Sequence, residues 1–129
     1  RQVEGTYNAL GYPTPLSMRT LLKTCQEVAG NDSRITWVPD EFLLEQDVGQ
    51  WMELPLWIAG GGTMFSLERA LQQGLTFLPI EETVRRTLDW HLQANGPEHP
   101  FQRTGIAGEK ETKVLAAWHA HQAAGKTSR

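Results

Sequence analysis

Apolar residues recur along the chain at two spacings, and the changes of spacing divide it into elements. Val3 to Leu10 alternates Val3, Gly5 and Tyr7 against Glu4, Thr6 and Asn8, the pattern of a strand. Gly11 to Pro15 breaks it. Ser17 is placed to cap a helix running to about Ala29, because Met18, Leu21, Leu22, Cys25, Val28 and Ala29 fall on one stripe and Gly30-Asn31 follows. Ile35 to Val38 reads as a second short strand. Strand, helix, strand over this length implies a parallel pair joined by a right-handed crossover. Asp40 is then placed to cap a short helix over EFLLEQ, with Phe42, Leu43 and Val48 directed to the core. Ser66 does the same for LERALQQ, which Gly74 stops. Leu75 to Leu78 is a brief extended piece, a third short strand near Thr76. After Pro79, Ile80, Val84, Leu88, His91 and Leu92 line one face of a helix to about Ala94, with Glu81 and Glu82 in its first turn. Asn95-Gly96-Pro97 terminates it. Residues 97–108 form a loop, and Glu109 to Ala124 a last helix with Val114, Ala117, Trp118 and His121 on one side. The expected fold is mixed α/β and mostly helical: a small parallel β-α-β unit, about four further helices and one extra short strand.

One stretch fits neither spacing. Trp51 to Ser66, WMELPLWIAGGGTMFS, sets two tryptophans, a phenylalanine and two methionines beside Pro55 and three consecutive glycines. Pro55 lacks a donor and restricts Leu54, while Gly60, Gly61 and Gly62 free the backbone for positive φ. Aromatic side chains on irregular, glycine-hinged backbone suggest a wall or lid over a ligand. The same composition also suits a loop that plugs a core and binds nothing.

Length and composition narrow the class. Residues 1–129 make one domain by length, large enough to fold without metal or disulfide. Apolar content of 40% and charged content of 21% are those of a soluble globular protein. The formal charge is −3 with no basic block, which argues against nucleic acid or an anionic membrane as partner. No apolar run is long enough to span a bilayer, and no export leader is visible. The single Cys25 forms no intrachain disulfide and fits a cytoplasmic location. It lies in the helix stripe, as a small core hydrophobe would. The chain begins at Arg1, without methionine, and enters a strand pattern at once, as a piece of a longer protein would.

Catalytic machinery is hard to find. Of His91, His99, His119 and His121, no pair is four apart, and His119 and His121 point about 200° apart on a helix, so no metal site is expected. There is no Gly-x-Ser-x-Gly elbow, and Cys25 is expected to be buried. The triple glycine lacks the spacing of a nucleotide loop. Asp40, Glu41, Glu45, Asp47 and Glu53 read as a solvated face rather than an acid/base pair. Charge does discriminate: between Ile35 and Glu68 there are five acids and no Lys or Arg. A phosphate at the aromatic loop would meet no cationic clamp. A neutral, aromatic or sugar-like ligand stacked on an indole fits better.

The ordered pieces resemble a known family, the extended short-chain dehydrogenase/reductases or NAD-dependent epimerase/dehydratases, in their C-terminal, substrate-binding portion. GTYNALG at 5–11 resembles the strand ending in Asn-Gly, and PLSMRTLLKTCQEVAG at 15–30 the Ser-capped helix after it. ITWVPDEFL at 35–43 is similar to the next strand and its Pro exit. ELPLWIA at 53–59 falls where the family carries a Leu-Pro-aromatic substrate loop, and SLERALQQGLTFLPIEETVRRTLDWH at 66–91 resembles the closing pattern. The resemblance covers nearly the whole chain. It implies the substrate-binding lobe of an NAD(P)-dependent oxidoreductase, epimerase or dehydratase, inert alone, whose N-terminal Rossmann domain is missing here and is its natural partner. The family's Gly-x-x-Gly-x-x-Gly loop and Tyr-x-x-x-Lys pair belong to that domain. Tyr7 is followed at the fourth residue by Gly11, and Tyr12 by Leu16, so no catalytic or cofactor-binding residue transfers. The resemblance carries over Glu53, Leu54, Pro55, Leu56 and Trp57, with Met64 and Phe65; with Trp51 from the aromatic loop, the substrate-binding residues expected are Trp51, Glu53, Pro55, Trp57, Met64 and Phe65. Nucleotide-sugar members of the family commonly place arginines around this lobe, and residues 35–68 offer none. The alternative is a helical dimerisation module: a homodimer formed through the first strand's edge or through Trp90, which lies off the Val84–Leu88 stripe.

Overall fold

The computed structural model describes residues 4–11, 14–62, 65–100 and 104–127. Half of the described residues are helical. Five helices follow one another: α1 (Met18–Ala29), α2 (Asp40–Glu45), α3 (Glu68–Gln72), α4 (Ile80–Asn95) and α5 (Gly108–Thr127). Contacts divide the chain into two compact units, residues 1–33 with 63–99, and residues 34–62 with 100–129.

In the first unit α1 packs on α4. The start of α1 is set by Ser17, whose Oγ accepts the Thr20 amide at 3.1 Å, and its end by Gly30 in the left-handed region at φ 63°. Met18, Leu21, Leu22, Cys25 and Val28 are half-buried, and the deepest residue is the polar Thr24, whose hydroxyl donates to Thr20 O at 2.9 Å. That bond lets a hydroxyl sit inside without an unmet donor. Along α4, Ile80, Val84, Leu88 and His91 form the half-buried stripe, while no residue of the helix is fully buried. Asn95 Nδ2 lies 3.2 Å from His91 Nδ1. Segment 4–10 is held by side chains: Asn8 Nδ2 donates to Ser66 O at 3.1 Å, and the Arg69 guanidinium lies 4.7 Å from the centre of the Tyr7 ring.

The second unit holds the fuller apolar centre. Leu43, Val48 and Val114 are buried together, with Val38, Leu54, Trp57 and Ile106 packed against them. Burial of this kind contributes about 1.5–3 kcal/mol per side chain. Phe42 of α2 meets Trp118 of α5 edge-on at 5.0 Å and the His121 ring at 5.4 Å, which pins the two helices.

The expected β-α-β unit is not formed. Among the described residues there is no sheet, only a single bridge between Gln50 and Leu54. Residues 4–10, Ile35–Val38 and Leu75–Leu78 carry no ladder between them, Gly5 bends the first at φ 131°, and the short strand near Thr76 is absent as well. Val3, which opened the first predicted strand, lies outside the described residues. The error has a physical origin: alternation reports which face a residue presents, whereas a strand exists only when a second edge accepts its backbone. The helical expectations hold to within a few residues at each end, although Ser66 is not the N-cap of α3, which Leu67 precedes with no side-chain cap bond.

Candidate functional site

The aromatic loop begins where α2 ends. Asp47, at φ 53°, reverses the chain, and the Val48 amide returns to Leu43 O at 3.0 Å, burying Val48 beneath. Two tight turns then follow. Gln50-Trp51-Met52 is a γ-turn closed by the Met52 amide on Gln50 O at 2.6 Å, with Trp51 at φ 63°. Leu54-Pro55-Leu56-Trp57 is a β-turn closed by the Trp57 amide on Leu54 O at 3.1 Å, with Leu56 at φ 68°. Proline second and positive φ third is the type II arrangement, whose third position favours glycine. A tryptophan and a leucine therefore occupy backbone conformations that cost a non-glycine residue about 1–2 kcal/mol each.

Four side chains hold them, two from other elements (Asp40 and Lys110) and two from the loop itself (Gln50 and Glu53). Asp40 bridges the far limb, accepting the Trp57 indole N–H on Oδ1 at 2.8 Å and the Gly60 amide on Oδ2 at 2.9 Å. Gln50 Oε1 accepts the Ala59 amide at 2.7 Å. Glu53 Oε2 accepts the Gly49 amide and the Lys110 ammonium, both at 2.6 Å, and Lys110 also donates to Asp47 O at 2.6 Å. A Cβ on Gly49 would stand 3.3 Å from that same Glu53 oxygen, close enough to push the carboxylate by a few tenths of an ångström. The Gly105 amide, just before α5, closes on Met52 O at 2.8 Å. The amide of Gly60 and then the indole of Trp57 hold the Asp40 carboxyl below its usual range. The Lys110 ammonium, followed by the Gly49 amide, does the same for Glu53.

This bracing sorts the residues expected from the sequence. Trp57 and Glu53 are half-buried and engaged by the protein itself, Trp57 against the Leu43–Val114 centre and Glu53 with Lys110. Trp51 and Pro55 face solvent, Trp51 at 55% exposure. Phe65 is exposed but belongs to the other unit, and Met64 lies outside the described residues. Met52, Leu56 and Ile58 join Trp51 as exposed apolar groups. Gln50 and Lys110 escaped the sequence reading, and Asp40 and Glu53, expected on a solvated face, are half-buried and brace the loop. Asp40 was expected to cap α2; instead Pro39 precedes the helix with no side-chain cap and the carboxylate is spent on the loop. Lys110 lies 57 residues from its partner, and no local pattern signals such a pair.

An open cavity of about 370 Å³ lies elsewhere, at the carboxyl end of α1, between Lys23, Glu27 and the turn from Gly30 to Ser33. It surrounds the helix cap and the exposed Lys23–Glu27 ion pair, and no loop residue lines it. Among the described residues no three His, Cys, Asp or Glu side chains are grouped to hold a metal, and no helix is long and apolar enough to cross a membrane. Comparison with protein-family models, curated proteins and solved structures finds no match.

Proposed function

We propose that this chain is the substrate-binding lobe of an NAD(P)-dependent epimerase, dehydratase or reductase, acting with a nucleotide-binding domain and inert without it. The observation that carries the reading is the outward presentation of Trp51 and Leu56 from turns strained to hold them. A loop that only plugged a core would turn its large side chains inward and place glycine where φ is positive. Here the indole and the leucine stand in solvent, on a backbone fixed by Asp40, Gln50, Glu53 and Lys110. Strain retained at exposed apolar residues is better explained by a ligand than by stability. The order of a Ser-capped helix, Leu-Pro-aromatic loop, short helix, Gly, Pro and long helix adds the resemblance to the family. A cytoplasmic setting belongs to the same proposal.

Titration of the chain with NADH, followed by nicotinamide fluorescence, is expected to show no binding; tight binding would contradict the division of labour. The coding sequence ahead of Arg1 is expected to encode a glycine-rich strand–turn–helix and a Tyr-x-x-x-Lys pair.

A second reading rests on Trp90, which is 64% exposed on the outer side of α4. In that reading the first unit is a dimerisation module with Trp90 at the contact. Light scattering discriminates: a concentration-dependent dimer lost in Trp90→Ala favours the module, and a strict monomer removes it.

A further inference from the structure

The carboxyl end of α4 carries a reactive pair of residues. Asn95 is the last residue of the helix and Gly96 follows it, the sole Asn-Gly step of the chain; Asn8 precedes Ala9 and Asn31 precedes Asp32. In such a step the backbone nitrogen of the glycine can reach the side-chain carbonyl carbon of the asparagine, because no Cβ obstructs the approach. The surroundings leave the way open. Asn95 is exposed, and a Cβ on Gly96 would meet nothing within 4 Å.

Two hydrogen bonds hold the reacting groups apart. The Gly96 amide, which would be the nucleophile, donates to Leu92 O at 3.0 Å as the last bond of the helix. The Asn95 side-chain nitrogen, which would be the leaving group, lies 3.2 Å from His91 Nδ1. Since Nδ2 only donates, the ring nitrogen accepts, with the ring proton on Nε2. Both bonds belong to the terminal turn, and helix ends open more readily than helix centres.

We propose that Asn95–Gly96 is a site of self-deamidation, gated by the last turn of α4 and by the His91 contact. When the turn frays, Gly96 N attacks Asn95 Cγ and gives up its proton to water. The Cγ–Nδ2 bond then breaks, and ammonia departs with a proton taken from water, leaving a five-membered succinimide. Water opens that ring at either carbonyl and yields aspartate or isoaspartate. The net change is the hydrolysis of an amide, with no oxidant or cofactor. It places a carboxylate at the end of the helix where the dipole is already negative, so the opened turn closes less well afterwards. Helix α1 packs on α4, and the first unit is the part that loosens. The site is independent of the aromatic loop and of its ligand.

The test uses the full chain, kept for several days at neutral pH and physiological temperature, with mass-spectrometric peptide mapping to locate conversion of amide to acid. Conversion is expected at Asn95 and not at Asn8 or Asn31. It should run more slowly in the folded chain than in the same chain in concentrated guanidinium, because reaction from an opened state follows the population of that state. His91→Ala should keep its helical circular dichroism and convert about 1.5- to twofold faster, the size of one i,i+4 side-chain pair. His91→Gln, which restores an acceptor, should return the rate close to the original. Asn95→Asp should lose hydrogen-exchange protection at the Gly96 amide. Equal rates in the folded and unfolded chain would overturn the gate, and an unchanged rate in His91→Ala would overturn the share assigned to His91. A folded chain still intact at Asn95 after the unfolded one has fully converted, or conversion at Asn8 or Asn31 as fast as at Asn95, would overturn the site itself.

Discussion

Helix α4 and the loop of residues 47–62 are equally long, sixteen residues each, and both display an exposed tryptophan. They support it by opposite means. In α4 the backbone satisfies itself from within, turn upon turn, and Trp90 occupies an ordinary helical position at no conformational cost. In the loop six amides bond to carbonyls of the loop itself and three to side chains: Gly60 to Asp40 of α2, Ala59 to Gln50, and Gly49 to Glu53, which Lys110 of α5 also holds. Trp51 stands on a γ-turn of the wrong sign for its side chain. A helix can display a tryptophan by accident of sequence, whereas the loop does so only because several distant residues agree. That difference makes the loop the better candidate for function. It also makes the loop the more fragile of the two, in ways that can be measured.

The largest contrast is expected in the cores beneath. Leu43, buried under the loop at 8% exposure, touches the only multi-residue apolar centre among the described residues. Leu43→Ala should cost about 2–5 kcal/mol in denaturant unfolding and release the loop with it. Leu88→Ala, on the half-buried stripe of α4, should cost less, about 1–2 kcal/mol, since much of that side chain is already wet. Equal costs would mean that the loop unit has no privileged core.

Acid should separate the two regions next. Asp40 and Glu53 have carboxyls held below their usual range in the folded chain, the first by the Gly60 amide and the Trp57 indole, the second by Lys110 and the Gly49 amide. A depressed folded value means that the unfolded chain binds the proton more readily. The stabilisation is therefore fully present above the unfolded values, about pH 4, and is lost as pH falls through the lower, folded ones. Tryptophan near-UV circular dichroism from the loop should fade over that window, while the far-UV helical signal persists further. Asp40→Asn with Glu53→Gln should flatten the acid response. An unchanged profile in the double variant would show that these two groups do not hold the loop.

Lys110→Met should act in the same direction at neutral pH but more weakly, because the Gly49 amide still holds Glu53. The readout is a loss of protection of the Gly49 and Met52 amides against hydrogen exchange. Unchanged protection would assign the loop's order to its own turns alone.

The helices could be read from the sequence because their causes are local. Ser17, Gly30, Gly74, Pro79 and Gly96 mark their ends within a residue or two of the side chains they serve. The strands could not, since Val38 or Tyr7 shows a face but says nothing of a partner edge. The loop lay between these cases. Its aromatic and glycine content marked it as irregular and left open whether its rings lined a ligand or plugged a core; Trp51 faces solvent, whereas Trp57 looked equivalent in sequence and turned inward. The residue that decides this is Asp40, 17 positions away, whose carboxylate captures the indole N–H. Local chemistry gave Asp40 a helix to cap, and the long-range bond outbid it.

The subtlest prediction bears most directly on purpose. Leu56 occupies the glycine position of a type II turn and Trp51 the centre of a strained γ-turn, both with side chains more than half exposed. Leu56→Gly loses little burial and relieves the positive φ, partly offset by the greater freedom of glycine in the unfolded chain. It should leave stability unchanged or raise it by up to about 1 kcal/mol, and Trp51→Gly should behave alike. If the two residues merely plugged a gap, both substitutions would destabilise, as lost core side chains do. A more stable chain that no longer shifts its indole signals with a ligand would identify stability given up locally for binding, which a helix carrying Trp90 has no need to do.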